Sequence, residues 1–314
     1  MKRVLLLIPI LIGVSLFIFV SMNLAKGDYV DTLNTEDLTE EQIHELRVQY
    51  GLDKGIFGQY VDYMWKLLHG DMGTSYISHQ SVFKTFGQRI GATVYLAVAS
   101  TIVTVIISIP LGIYAANHHG GIGDNIANVF GVIGLATPNF WLGLLLIVLF
   151  SLKLGWLPSG GNEGWQSVLL PAFTVGTGHT AMLMRTTRSA MLDTLSADYL
   201  RTARSKGVPE KTVIRKHALK NAMIPILNVA VGQFAGCFGG AALTETVFSW
   251  PGVGKMVVDS VKERDIPLVT GFLILKCTII SVIGLCNDLL YVAVDPRVKT
   301  MYVTTKKKGG KKNG

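Results

Sequence analysis

Residues 185–221 read RTTRSAMLDTLSADYLRTARSKGVPEKTVIRKHALKN, a hydrophilic segment between two long hydrophobic runs. It carries nine bases, Arg185, Arg188, Arg201, Arg204, Lys206, Lys211, Arg215, Lys216 and Lys220, against three acids, Asp193, Asp198 and Glu210. Positive charge of this density between apolar runs marks a loop on the cytoplasmic side of a membrane. Its internal punctuation is helical. Ser196 is placed to cap a short helix running through Lys206, Gly207 to end it in a left-handed turn, and Pro209 to open a second helix that continues through Asn221 into the next run. Two helices joined by a glycine elbow and held at both ends by membrane spans make a projecting element that can carry force. On the first helix Tyr199, Leu200 and Ala203 offer apolar contact while Arg201 and Arg204 offer charge, a mixture suited to docking in a groove of a partner protein.

Outward from this segment the chain is apolar. Of its 314 residues 49% are hydrophobic and only 16% charged, and the mean hydropathy is +0.42, which places it among multi-pass membrane proteins. Uncharged or nearly uncharged runs at 4–22, 94–116, 126–152, 168–184, 222–243 and 269–294 predict six transmembrane helices in an all-α membrane protein. The first run is long for a signal peptide and ends without a clean cleavage site, so it reads as a retained span with a cytoplasmic N-terminus. The connectors then alternate: 117–125, 185–221 and the basic tail lie inside, and 153–167 and 244–268 lie outside with the loop at 25–90. That loop holds ten acids against six bases, so the charge asymmetry agrees with the count of spans. The formal charge of +8 is thereby an orientation signal and not a nucleic-acid footprint. The glycine-lysine end is low in complexity and suited to anionic lipid. Cys237, Cys277 and Cys286 sit in apolar runs without CxxC spacing, as packing residues and neither a disulfide framework nor a zinc site.

The expected segments are a first span at 1–23, an extracytoplasmic helical loop at 24–92, a five-helix transmembrane core at 93–295 that includes 185–221, and a cytoplasmic tail at 296–314. In the outer loop Thr39 and Gln42 form a capping box, Ile43, Leu46 and Tyr50 share a face, and Gly51 stands at a C-cap. A second helix carries Phe57, Tyr60, Val61, Met64, Leu67 and Leu68 and ends at Gly70, giving a small helical cap over the outer mouth. Within the spans, Gly232, Gly236 and Gly240 form a ridge for close helix approach. Pro110, Pro138, Pro171 and Pro225 predict kinks, and Asn139, His179, Gln233, Lys276 and Asp288 place polar groups at membrane depth, facing a bundle interior or a water path, with snorkelling an equal reading for Lys276 and Asp288. No HExxH, GxSxG or Walker A motif is present, since PGVGKM at Pro251 lacks the spacing and the Ser or Thr. No catalytic residues are assigned, and energy for any driven process comes from another chain.

DYLRTARSKG at 198–207 resembles the coupling segment of bacterial binding-protein-dependent ABC importer permeases of the dipeptide, oligopeptide and nickel family. GLDKGIFGQY at 51–60, GDMGTS at 70–75, TPNFWLG at 137–143, LPSGG at 157–161, MRTTRSAMLD at 184–193, NAMIP at 221–225, TETVFSWPGVG at 244–254, RDIP at 264–267 and DPRV at 295–298 are similar to the same family, in order across nearly the whole chain. The sequence departs from the general importer motif, which begins Glu-Ala-Ala where this chain has Arg201, Thr202 and Ala203. The resemblance implies a multi-pass bacterial inner-membrane permease working with a second homologous permease, one or two ABC ATPases and an extracytoplasmic binding protein. ATP and magnesium would sit on the ATPases, and this chain would bind no cofactor or metal. It also implies that Tyr199, Leu200, Arg201, Thr202, Ala203, Arg204 and Gly207 couple to the ATPase. The expected translocation wall is Pro138, Asn139, Phe140, Trp141, Gln233 and Gly236, and Asp71, Glu245, Trp250, Pro251 and Gly252 are expected on the binding-protein side. Peptides are the expected cargo and nickel or a nickel chelate the alternative. His44, His69 and His79 are too scattered for a metal site, and a passive channel would have no use for the elbow.

Overall fold

The computed structural model describes residues 2–24, 27–33 and 38–294; the basic tail and the DPRV stretch lie outside them. Among the described residues every regular element is helical, apart from one antiparallel bridge between Thr74 and Ser81. The α-helices are α1 (Lys2–Leu24), α2 (Glu40–Tyr50), α3 (Ile56–Leu68), α4 (Val82–Asn117), α5 (Ile122–Ala136), α6 (Asn139–Leu146), α7 (Leu169–Leu195), α8 (Asp198–Ser205), α9 (Glu210–Thr212), α10 (Leu219–Gly240), α11 (Ala242–Val247), α12 (Val253–Lys262) and α13 (Ile266–Val294). Wider π turns follow α6 at Ile147–Lys153 and join α9 to α10 at Val213–Ala218.

Four helical stretches among the described residues are long and apolar enough to cross a membrane: Leu7–Leu24, Val82–Asn117, Glu210–Phe238 and Ile266–Leu289. They become five if α5 and the helix from Asn139 to Lys153 form one broken span. The sequence predicts six, and both differences have a physical cause. The hydrophobic run at 126–152 is not one straight helix. Pro138 holds Thr137 extended at φ −78° and ψ 121°, and the helices on either side meet at 97°. The run at 168–184 lies in α7, whose 27 residues reach about 40 Å. Its hydropathy is diluted by Thr174, Gly176, Thr177, Gly178, His179 and Thr180. Protein buries Thr174, Val175, Gly176, Ala181, Leu183 and Met184, and a helix enclosed by other helices has no need of a lipid-compatible surface.

The chain divides into two compact units. The first comprises Met1–Tyr95, Ser159–Ser167 and Phe238–Ser281. Here the stretch between α1 and α4 folds as its punctuation dictates. Thr39 and Gln42 close a reciprocal capping box on α2, and Gly51 ends that helix at φ +68°. Arg47 ties the preceding turn down through Asp28 and Asp31, each at 2.8 Å. Helix α3 lies along α1. The Tyr60 hydroxyl is 3.1 Å from Ser15 Oγ and donates to the Ile12 carbonyl at 3.2 Å. Phe19 meets Tyr60 edge-on and shares a buried cluster with Tyr63, Ile266 and Ile274.

The second unit comprises Leu96–Pro158, Val168–Cys237 and Val282–Gly314, and α7 is its axis. Small residues let α4 approach closely: a Cβ on Gly112 would lie 2.6 Å from Thr187 Cβ, and one on Gly176 would lie 2.9 Å from the Ser100 carbonyl. Thr104 Oγ1 and Ser108 Oγ then donate to the Gly176 and Thr180 carbonyls at 3.0 and 3.1 Å, so hydroxyls of α4 bond directly to the backbone of α7.

Candidate functional site

The elbow forms at 198–213. Gly207 takes φ +77°, a left-handed conformation that costs a β-branched residue most. Its N–H donates to the Arg204 carbonyl at 2.9 Å, and the Val208 N–H donates to the Ala203 carbonyl at 3.3 Å. Capping at the front differs from expectation. Ala197 is the N-cap residue and provides no side-chain bond, while the Ser196 hydroxyl turns back to the Asp193 carbonyl at 2.9 Å. Ser196 still belongs to the C-terminal turn of α7, so its hydroxyl is spent there. Pro209 occupies the N-cap of α9, one place before the predicted first turn.

Helix α8 has two faces, and they divide the predicted contact residues differently from the sequence reading. Leu200 is fully buried in a cluster that includes Met191, Val213, Ala218 and Ile226, with Ala203 packed on the same cluster. These two residues pack α8 onto the helices around it. The Arg204 guanidinium grips the Glu210 carboxylate at 3.1 and 2.8 Å across the elbow. Tyr199, Arg201 and Thr202 are exposed, so the surface left for a partner is aromatic, cationic and polar. The apolar spacing at Leu200 and Ala203 was correct for burial, but one short helix could not reveal which body they pack on.

A bidentate ion pair frames the start of α5, and the sequence reading missed it. Arg188 Nε and Nη2 on α7 reach the two Asp124 carboxylate oxygens at 2.7 Å each. The Asp124 side chain is only 3% exposed and also accepts from the Gly120 N–H at 3.0 Å and from Asn128 Nδ2 at 3.0 Å. Sixty-four residues separate the pair, so no local spacing could have announced it.

The predicted wall residues converge on α7. A Cβ on Gly178 would fall 2.7 Å from Asn139 Oδ1, so the Asn139 amide rests directly over this glycine of α7. Gln233 Nε2 donates to the His179 carbonyl at 2.9 Å, while its Oε1 is buried with no partner among the described residues. Gly236 faces the His179 ring, with 3.8 Å between a virtual Cβ and Cε1. Phe140 and Trp141 are about half exposed. Beside the kink lies a cavity of about 460 Å³, lined chiefly by apolar groups such as Leu111, Phe130 and Met184 with Thr177 and Thr180; Pro138, Asn139, Phe140 and Trp141 are not among its lining residues.

On the expected binding-protein side, Asp71 is exposed, but Glu245 and Trp250 are buried and serve to hold the loop together. The Trp250 indole donates to the Ala92 carbonyl at 2.9 Å. Glu245 accepts from Thr93 Oγ1 and from the Lys255 N–H, both at 2.9 Å. Gly252 leaves the room this carboxylate needs, since a Cβ there would lie 2.4 Å from it. Pro251 is half-buried beside it. Gly160 of the LPSGG stretch presses on the Phe248 carbonyl, where a Cβ would come within 2.3 Å, and the Gly161 N–H donates to that oxygen at 2.9 Å. Burial raises the Glu245 pKa, opposed by the hydrogen bonds from Lys255 and Thr93; Asp265, held by Ser75 Oγ at 2.6 Å, is raised by burial in the same way.

Long apolar helices, a broken apolar helix pair and a glycine elbow are parts that fit a membrane transport subunit. The chain belongs to the family of binding-protein-dependent transport system inner membrane components, which it matches over residues 108–300. It is similar to the glutathione transport system permease protein GsiC of Salmonella choleraesuis (strain SC-B67), with 38% identity over 299 residues, covering 95% of this chain and 98% of the relative. GsiC of Escherichia coli (strain K12) is likewise 38% identical over 298 residues, covering 95% and 97%. Its fold resembles that of a chain in the inward-facing MetNI methionine ABC transporter, with a TM-score of 0.58, 18% identity, and coverage of 68% of this chain and 97% of that one. The protein is therefore an inner-membrane permease subunit of an ABC importer, a class that works with ATPase subunits and a substrate-binding protein.

Proposed function

We propose that this chain is one of a pair of homologous six-span permease subunits and imports short peptides delivered by an extracytoplasmic binding protein. The observation that carries the cargo is the 38% identity across 95% of the chain to permeases named for glutathione, a tripeptide. In this reading α7 is the fourth span and the α5–α6 pair the third, both termini are cytoplasmic, and the chain is non-catalytic and binds no cofactor. Tyr199, Arg201 and Thr202 meet the ATPase, and Leu200 and Ala203 transmit its motion because they are packed into the permease core. Arg204 and Gly207 keep the elbow's shape through the Glu210 pair and the left-handed turn. ATPase closure moves α8 together with α7 and α10, and the wall at Asn139, Gly178 and Gln233 changes its facing. Asp71 is the exposed contact offered to the binding protein, with Glu245, Trp250, Pro251 and Gly252 shaping the loop behind it. The test is ATP hydrolysis by the reconstituted transporter with its cognate binding protein. Stimulation by di- and tripeptides, glutathione included, is expected; stimulation by a nickel chelate alone would reassign the cargo to the family's nickel branch.

A further inference from the structure

Helix α3 has three faces. Tyr60, Tyr63, Met64 and Leu67 pack on the cluster around Phe19. Gly58, Asp62, Lys66 and Gln59 follow on a polar side, where Lys54 and Asp62 form an exposed ion pair. Between these lies a third face of Phe57, Val61, Trp65 and Leu68, which at about 100° per residue fall within an arc of about 80°. Every residue of that arc is exposed: Phe57 80%, Val61 46%, Trp65 65% and Leu68 76%. Four large apolar side chains in one stripe are too many for a helix standing in water.

The depth of α3 identifies what covers the stripe. Its inner face bonds to α1 at Ile12 and Ser15, inside the candidate span Leu7–Leu24. Ile12 lies about 18 Å and Ser15 about 13 Å along the helix from Leu24 at a rise of about 1.5 Å per residue, in a bilayer whose hydrocarbon is about 30 Å thick. Neighbouring α1 side chains, among them Leu16, Phe17 and Val20, are exposed as lipid-facing residues are. The outward stripe of α3 continues that surface.

We propose that α3 is a membrane-embedded amphipathic helix. It lies against α1 in the leaflet nearest Leu24, with Phe57, Val61, Trp65 and Leu68 in the acyl chains and Asp62 and Lys66 on the opposite, polar side, which lines an open pocket with Gln49, Tyr50 and Tyr76. The loop is thereby fastened to the bilayer at its centre, and α2 and the Ser75 turn are held near the membrane surface. That the leaflet is the outer one rests on the orientation proposed above.

The test uses the assembled transporter with Cys237, Cys277 and Cys286 replaced by alanine. Single cysteines are placed at 57, 61 and 68 on the stripe and at 62 and 66 on the polar face, all exposed positions. A membrane-impermeant maleimide applied to spheroplasts should label positions 62 and 66 at least about tenfold faster than 57, 61 and 68. Independently, vesicles of lipids brominated on the acyl chain should quench the fluorescence of the native protein more than that of Trp65→Phe. Equal labelling of both faces would overturn the proposal, as would protection of the stripe without bromine quenching of Trp65, which would mean that protein covers it. If positions 62 and 66 label only from the cytoplasmic side while Trp65 is still quenched, the embedded helix stands and the orientation proposed for the chain fails.

Discussion

Truncating Leu200 separates a helix that touches a partner from one that is anchored to its own protein. Leu200 is fully buried in a cluster with Met191, Val213, Ala218 and Ile226. α8 has eight residues, too few to hold a helix without tertiary support. Leu200→Ala removes the apolar contact and leaves a cavity, for which core truncations cost about 2–5 kcal/mol. At about 1.4 kcal/mol per factor of ten, local opening of α8 should become about 30-fold to a few thousandfold more frequent. Hydrogen exchange of the amides of 199–206 in the assembled transporter reads that change directly. Uptake per ATP hydrolysed should fall with it, because motion of the ATPase would no longer reach α10 through a packed contact. Tyr199→Ala is the contrast: the side chain is 46% exposed, so exchange within α8 should stay as in the native protein while ATPase association weakens. Unchanged exchange in Leu200→Ala would refute the anchoring role and return this residue to the partner-facing surface.

Further outcomes follow from the other contacts. Gly207→Val forces a β-branched residue into φ +77° at about 1–2 kcal/mol and should leave ATP hydrolysis running with uptake diminished, measured side by side in proteoliposomes. Arg188→Ala strands the buried Asp124 carboxylate and should destabilise the protein by about 3–5 kcal/mol, whereas adding Asp124→Ala should recover much of the loss; thermal unfolding of the three variants closes the cycle. Glu245 has a pKa raised by burial, so its contribution to stability is present below the unfolded value of about 4.3 and is lost as pH rises through the raised folded value. Melting curves from pH 4 upward should therefore show the native protein losing stability relative to Glu245→Gln across that interval, and a difference independent of pH would contradict the assignment.

The helical membrane class, the capping box at Thr39, the turn at Gly51, the elbow at Gly207 and the family resemblance are legible along the chain, because these rest on local chemistry and composition. A capping box needs only residues three apart, and a left-handed turn selects glycine wherever it occurs. Tertiary structure alone decided which face met what. It turned Leu200 and Ala203 inward, paired Arg188 with Asp124, buried Glu245 beneath Gly252, and laid α3 along α1. Periodicity gives the side of a helix that is apolar but not the body that covers it, and lipid, a partner and the chain's own core are all apolar. The same limit bears on α7: where protein encloses it, hydroxyls and glycines are tolerated and hydropathy does not mark the helix.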